Sequence, residues 1–124
     1  GRDGLDELTV TAPSDAMRLA DGALTPLVID PSDHGFALAQ PADLEGGDAV
    51  ENAAMLRAIL DGERGSRRDV VVLNAGAAVW TAGAAPDLAG GVALAKESID
   101  SGAARGRLEA LVSASKRRGE KYDA

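Results

Sequence analysis

With 124 residues the chain can bury one core of ordinary size and no more. Apolar residues at 45% and charged residues at 27% exclude a disordered tail, and aromatics at only 2% mean that Ala, Val, Leu and Ile must fill the core. A formal net charge of −7 argues against a general nucleic-acid binder and against attraction to an anionic membrane, while the absence of Cys rules out disulfides, thiolate catalysis and zinc–sulfur sites and fits a cytoplasmic protein.

The opening residues Gly1-Arg2-Asp3-Gly4 are polar, lack the apolar stretch of a signal peptide and carry no initiator Met, so the start reads as a cut end. No later run is long and apolar enough for a membrane span. Asp6 and Glu7 follow, between Gly4 and the β-prone run Leu8-Thr9-Val10-Thr11. Two adjacent carboxylates suit Mg²⁺, which keeps several waters and takes one or two protein carboxylates beside substrate phosphates. A solvated loop pair is the plainer reading of the same residues. The acidic balance leaves a phosphate-bearing substrate open, because a divalent cation inverts the local sign.

Leu8 to Pro31 reads as strands: Leu8–Thr11 first, broken at Pro13-Ser14-Asp15, then a β-hairpin turning at Asp21-Gly22. Leu24 to Ile29 is its second arm, with Pro26 suited to an edge. Asp30 to Gly35 is a loop by its turn chemistry, and His34, the single histidine, reads as a surface residue with no nucleophile near it. Phe36 to Ala39 gives a short apolar contact.

A helix is expected to open in the stretch from Asp43 to Asp48 and to end near Leu60, with Val50, Ala53, Ala54, Arg57 and Leu60 on one face and Gly62 as its stop. Gly46-Gly47 could bind phosphate through free amides. With Asp48 and Glu51 already at that helix end, a self-capped turn is the stronger reading. Glu63 to Arg68 reads as a charged linker. The run Val70–Trp80 offers both a buried strand and a helix; its length and Ala content favour the helix, with Asp69 near its start and Gly83 near its end. Asn74 reads as a packing or hydrogen-bonding residue. Pro86-Asp87 starts the next helix, with the stripe Leu88, Val92, Ala95 and Ile99, ended by Ser101-Gly102. A last amphipathic helix holds Ala104, Leu108, Leu111 and Val112, with Lys116-Arg117-Arg118 at its end and a frayed tail from Glu120.

Four stretches in this order, Gly4-Leu5-Asp6-Glu7-Leu8-Thr9, Gly46 to Ala53, Arg68 to Ala78 and Ala93 to Ala104, resemble the C-terminal part of anthranilate phosphoribosyltransferase, and the resemblance covers essentially the whole chain. It implies an α/β fold of the nucleoside phosphorylase/phosphoribosyltransferase kind. Residues 1–124 would be the C-terminal part of the α/β domain, a β-hairpin followed by about four helices. It implies a Mg-dependent phosphoribosyltransferase of tryptophan biosynthesis, with phosphoribosyl diphosphate and anthranilate as substrates and pyrophosphate as a product. In this family the Asp-Glu pair ligates magnesium, a role that falls on Asp6 and Glu7. The family's glycine-rich phosphate loop, its helical domain, through which it forms homodimers, and its anthranilate contacts have no counterpart here. The chain would therefore need the remaining N-terminal part as its partner and be inactive alone, with no nucleic-acid or membrane partner. A pyrimidine nucleoside phosphorylase-like enzyme or a non-catalytic relative of the same fold is the alternative.

Overall fold

The computed structural model describes the backbone of residues 1–122 and the side chains as far as Arg118. Two strands, β1 (Ser14–Ala20) and β2 (Ala23–Ile29), are followed by four helices, α1 (Ala49–Leu60), α2 (Ser66–Thr81), α3 (Leu88–Asp100) and α4 (Ala103–Tyr122). The α/β class and the hairpin-then-helices order agree with expectation.

β1 and β2 pair antiparallel from Ser14 opposite Ile29 to Ala20 opposite Ala23. Asp21 and Gly22 both hold positive φ, 51° and 76°, the backbone of a two-residue turn whose twist matches the strands. In a two-stranded ribbon every position is an edge, so Pro26 sits opposite Met17 without removing a ladder bond from a third strand. The base of the hairpin is docked: Ser14 and Ile29 are buried, and Ala16 and Leu27 pack on the core. Its tip projects, leaving Leu19 and Leu24 exposed. On the docked side the Arg18 guanidinium lies 5.2 Å from the centre of the Trp80 ring on α2.

Two features of the strand reading are corrected. Leu8–Thr11 is not a strand, and Ser14-Asp15 begins β1 rather than interrupting it. The reason is where the backbone groups of Leu8–Val10 find partners: from side chains and from the amide of Ala39, not from a neighbouring strand.

α2 and α3 form the centre. The stripe Leu88, Val92, Ala95 and Ile99 is buried as its spacing requires, and it meets Val72 and Leu73 of α2. Where the helices cross, Gly76 faces Gly91 and Val92. A Cβ on Gly76 would lie 2.7 Å from the backbone nitrogen of Val92, and one on Gly91 would lie 2.1 Å from the carbonyl oxygen of Gly76. Asp87 caps α3 by accepting from the Gly90 amide at 2.7 Å.

α2 starts at Ser66, a turn earlier than expected, because Gly65 at φ 128° supplies the backbone geometry that precedes it. Arg68, assigned to the linker, is instead 3% exposed inside the first turns of α2, where its Nη2 donates to Asp100 at 2.6 Å. α1 begins at Ala49 rather than in the Asp43–Asp48 stretch, and Pro41–Leu44 is a separate 3₁₀ turn. The expected α1 face is also displaced. Ile59 is the buried residue, whereas Val50 is 78% exposed and Arg57 is exposed. A stripe made largely of Ala buries little area, so the docking of the C-terminal end of α1 decides the face. α4 runs through Lys116-Arg117-Arg118, which therefore lie within the helix, and Glu120–Tyr122 is helical rather than frayed. The rest of the expected tail lies outside the described residues.

Gly76→Ala and Gly91→Ala should each destabilise the protein by about 1–3 kcal/mol, since backbone rather than a flexible side-chain end must give way. Gly106→Ala, on α4 with nothing within 4 Å of the added methyl, should stabilise it by about 0.5–1 kcal/mol. Denaturant unfolding of the three variants checks both signs.

Candidate functional site

Residues 1–13 form an irregular loop ahead of β1 that carries Asp6 and Glu7. Gly4, at φ 95°, lets the chain turn there. Asp3 organises the turn: its carboxylate accepts from the Leu5 amide at 3.0 Å and from the Thr11 hydroxyl. The Thr11 and Thr9 hydroxyls hold that carboxyl down at about 2, below the usual carboxylate range.

After the pair the chain dives inward. Thr9 and Val10 are 0% exposed. The Thr9 amide donates to Ser14 Oγ at 3.2 Å, and the Val10 carbonyl accepts from the Ala39 amide at 2.9 Å. Leu8 is held from both sides by one residue. Asn74 Oδ1 accepts from the Leu8 amide at 3.1 Å, and Asn74 Nδ2 donates to the Leu8 carbonyl at 2.7 Å. The expectation that Asn74 is a hydrogen-bonding residue therefore holds. What sequence reasoning missed was its target, 66 residues away. The available signal was an Asn in the middle of an apolar helix, a type that competes for backbone groups.

Asp6 and Glu7 themselves point to solvent; both are exposed. Among the described residues neither side chain takes part in a hydrogen bond or an ion pair, and Arg2, the basic residue closest in sequence, is engaged with Asp15 at 2.8 Å. Among the described residues no group of three or more His, Asp or Glu gathers in one place. The pair thus offers two adjacent, unencumbered hard-oxygen donors and no closed cage. That donor set fits a cation that keeps waters and shares itself with a phosphate, and does not fit a fully protein-ligated site.

The second candidate is consumed by its own structure. Asp48 Oδ1 accepts from the Val50 and Glu51 amides at 2.8 and 2.9 Å, and Glu51 returns a bond to the Asp48 amide at 3.0 Å. Asn52 brackets Gly47, accepting from its amide at 2.9 Å and donating to its carbonyl at 2.8 Å. Gly46-Gly47 is the self-capped turn expected, with the Gly47 amide already occupied. His34 is half-buried rather than on the surface, in a 3₁₀ turn capped by Asp30, whose Oδ1 accepts from the Ser32 amide at 2.9 Å.

Residues 1–105 match the family model described as glycosyl transferase family, a/b domain. Over 115 residues the chain is 54% identical to the anthranilate phosphoribosyltransferase of Methylobacterium nodulans, covering 93% of this chain and 34% of that protein. The counterpart from Azorhizobium caulinodans is 48% identical over all 124 residues, which cover 36% of its length. The solved anthranilate phosphoribosyltransferase of Thermus thermophilus superposes with a TM-score of 0.81 at 38% identity, over 90% of this chain and 33% of that one. The chain therefore spans about a third of the length of the relatives it matches.

Thr11→Val should release Asp3 upward toward the ordinary carboxylate range. A carboxyl held low favours the folded loop above its unfolded value, near ~4, and loses that contribution as pH falls through the folded one. The wild-type loop should therefore hold its order to lower pH than the variant, as read from carboxyl and amide NMR titrations; coincident curves would contradict the assignment.

Proposed function

The chain belongs to the glycosyl transferase family, within its a/b domain, and from that premise we propose that it is the metal-pair end of an anthranilate phosphoribosyltransferase. The observation that carries this is an exposed Asp6-Glu7 pair, free of competing partners among the described residues, on a loop that then buries Thr9 and Val10 fully. The 54% identity to a protein of that name supports it. On this reading the glycine-rich phosphate loop, the helical domain of the homodimer and the anthranilate contacts belong to polypeptide outside these 124 residues. A cytoplasmic location is assigned with it, in keeping with the absence of Cys.

The reaction forms a bond between the anthranilate nitrogen and the anomeric carbon of the phosphoribosyl group and breaks the bond from that carbon to pyrophosphate. The amine gives up a proton, and pyrophosphate leaves with the bonding electrons. Mg²⁺ held by Asp6 and Glu7 would supply positive charge for the pyrophosphate oxygens where negative charge develops. What the chain's own residues contribute is a prepared pair of carboxylates. Their lone pairs are not taken up by backbone amides, unlike those of Asp48 and Glu51, so ligation requires no internal hydrogen bond to break. Anthranilate's amine is itself the nucleophile, so the chemistry asks for no covalent intermediate on a side chain. Two adjacent carboxylates favour this metal–pyrophosphate chemistry over phosphorolysis by a nucleoside phosphorylase-like relative.

Replacing both residues, Asp6→Ala with Glu7→Ala, in the complete protein should lower turnover by at least about a hundredfold and abolish its response to Mg²⁺. An unchanged rate with unchanged Mg²⁺ dependence would sink the proposal. The 124-residue chain by itself should give no phosphoribosyl anthranilate fluorescence from the two substrates and Mg²⁺; a signal above a no-protein control would show that the substrate site is complete within it.

A further inference from the structure

We propose that Asn74 is a positioning residue for the Asp6-Glu7 pair, setting the metal affinity of a site it does not itself touch. The inference rests on reading that pair as the metal ligands.

The carboxamide of Asn74 is committed to this task. Its Oδ1 takes the Leu8 amide, one Nδ2 hydrogen goes to the Leu8 carbonyl, and the other goes to the Val70 carbonyl at 2.9 Å, one turn back on α2. Both Nδ2 donors are therefore in use, and the bond to Val70 fixes the side chain to its own helix. The Leu8 amide belongs to the same peptide plane as the Glu7 carbonyl. Holding it fixes the plane from which Glu7 projects, with Asp6 one residue further on. The grip is bidentate, as a strand neighbour's would be, but it comes from one side chain.

The base of this clamp is rigid. Asn74 lies between Leu73, 0% exposed, and Gly76, whose carbonyl is in backbone contact with α3 at Gly91. On the far side Thr9 and Val10 are tied to Ser14 and Ala39. A continuous path of short contacts thus runs from α3 through Gly76 and Asn74 to Leu8 and the pair. Upstream of Leu8 the loop is exposed through Gly1 and is tied to itself and to the start of β1, through Asp3 to Leu5 and Thr11 and through Arg2 to Asp15 and the Pro13 carbonyl; the Leu8 clamp is what ties the pair to α2.

Two exposed carboxylates on an untethered loop would lose conformational freedom on taking a cation. With Leu8 held, much of that ordering is present in the free protein. Outer partners that orient metal ligands typically contribute 10- to 100-fold in metal affinity or activity. Asn is suited to this role because it combines an acceptor with two donors at this length. Asp keeps the acceptor for the Leu8 amide but sets a carboxylate against two carbonyls, and Ala keeps nothing.

The test uses the complete protein with phosphoribosyl diphosphate bound and no anthranilate. Mn²⁺ binding is followed by electron paramagnetic resonance in wild type, Asn74→Ala, Asn74→Asp and Val72→Ala; the last removes buried volume from the same helix without touching the clamp. Asn74→Ala and Asn74→Asp should weaken Mn²⁺ by at least about tenfold, and both should raise the Mg²⁺ needed for half-maximal rate by a similar factor. The KM for anthranilate should stay at the wild-type value. Val72→Ala should lower stability and leave Mn²⁺ affinity unchanged. Wild-type Mn²⁺ affinity in either Asn74 variant, or an equal loss in Val72→Ala, would overturn the role of Asn74. Should one Asn74 variant fail to fold, the other decides. Retention of Mn²⁺ binding in Asp6→Ala/Glu7→Ala would overturn the metal reading itself, a separate outcome.

Discussion

The backbone contact between α2 and α3 at Gly76 and Gly91 is the constraint on which the other contacts depend. With no side chain between them the two helices approach to backbone distance, and the aliphatic stripe of α3 can close over Val72 and Leu73. A chain nearly without large aromatics has few ways to fill a wide gap between helices, and close approach removes the gap. With α2 held this firmly, its polar residues act at fixed points. Arg68 reaches Asp100 at the far end of α3, Trp80 receives Arg18 from the hairpin, and Asn74 meets Leu8.

Two of the acidic loops are treated by the structure in opposite ways. Asp48 and Glu51 close a capping box, and Asn52 takes both polar groups of Gly47, so the loop before α1 is satisfied internally. Asp6 and Glu7 face outward with no such partners among the described residues, while the segment behind them is buried. Both loops use an Asn as a two-ended clamp on a single residue's backbone. In one case the clamp finishes a helix start. In the other it leaves two carboxylates standing on a fixed base. Residue type alone does not separate a capping pair from a ligand pair; the difference lies in whether the local amides have already claimed the oxygens.

The same logic explains the irregular course of Leu8–Val10. Thr9 and Val10 belong to the most β-prone types, and they are as deeply buried as any of the described residues. A strand there would need a neighbour along its whole length. Side-chain partners instead satisfy individual groups one at a time and let the backbone bend away from Glu7 into the interior. Non-ladder backbone of this kind, held from several directions, is a suitable platform for a pair of ligands.

Local pattern in the sequence was enough for much of this. The Asp21-Gly22 turn, the α3 stripe, the Asp48-Glu51 cap and the stop at Gly83 each depend on residues within a few positions of one another, so their physics is readable in order along the chain. The candidate pair was also legible as two adjacent carboxylates between Gly4 and a β-prone run. Tertiary structure alone decided which way α1 faces, that Arg68 is interior, that Leu8–Thr11 is not a strand, and that Asn74 grips Leu8. Each of these turns on a partner distant in sequence: the α1 face on where Ile59 docks, Arg68 on Asp100, and the Leu8 peptide on a side chain 66 residues later. Periodicity reports which residues share a face, but only packing determines what that face meets.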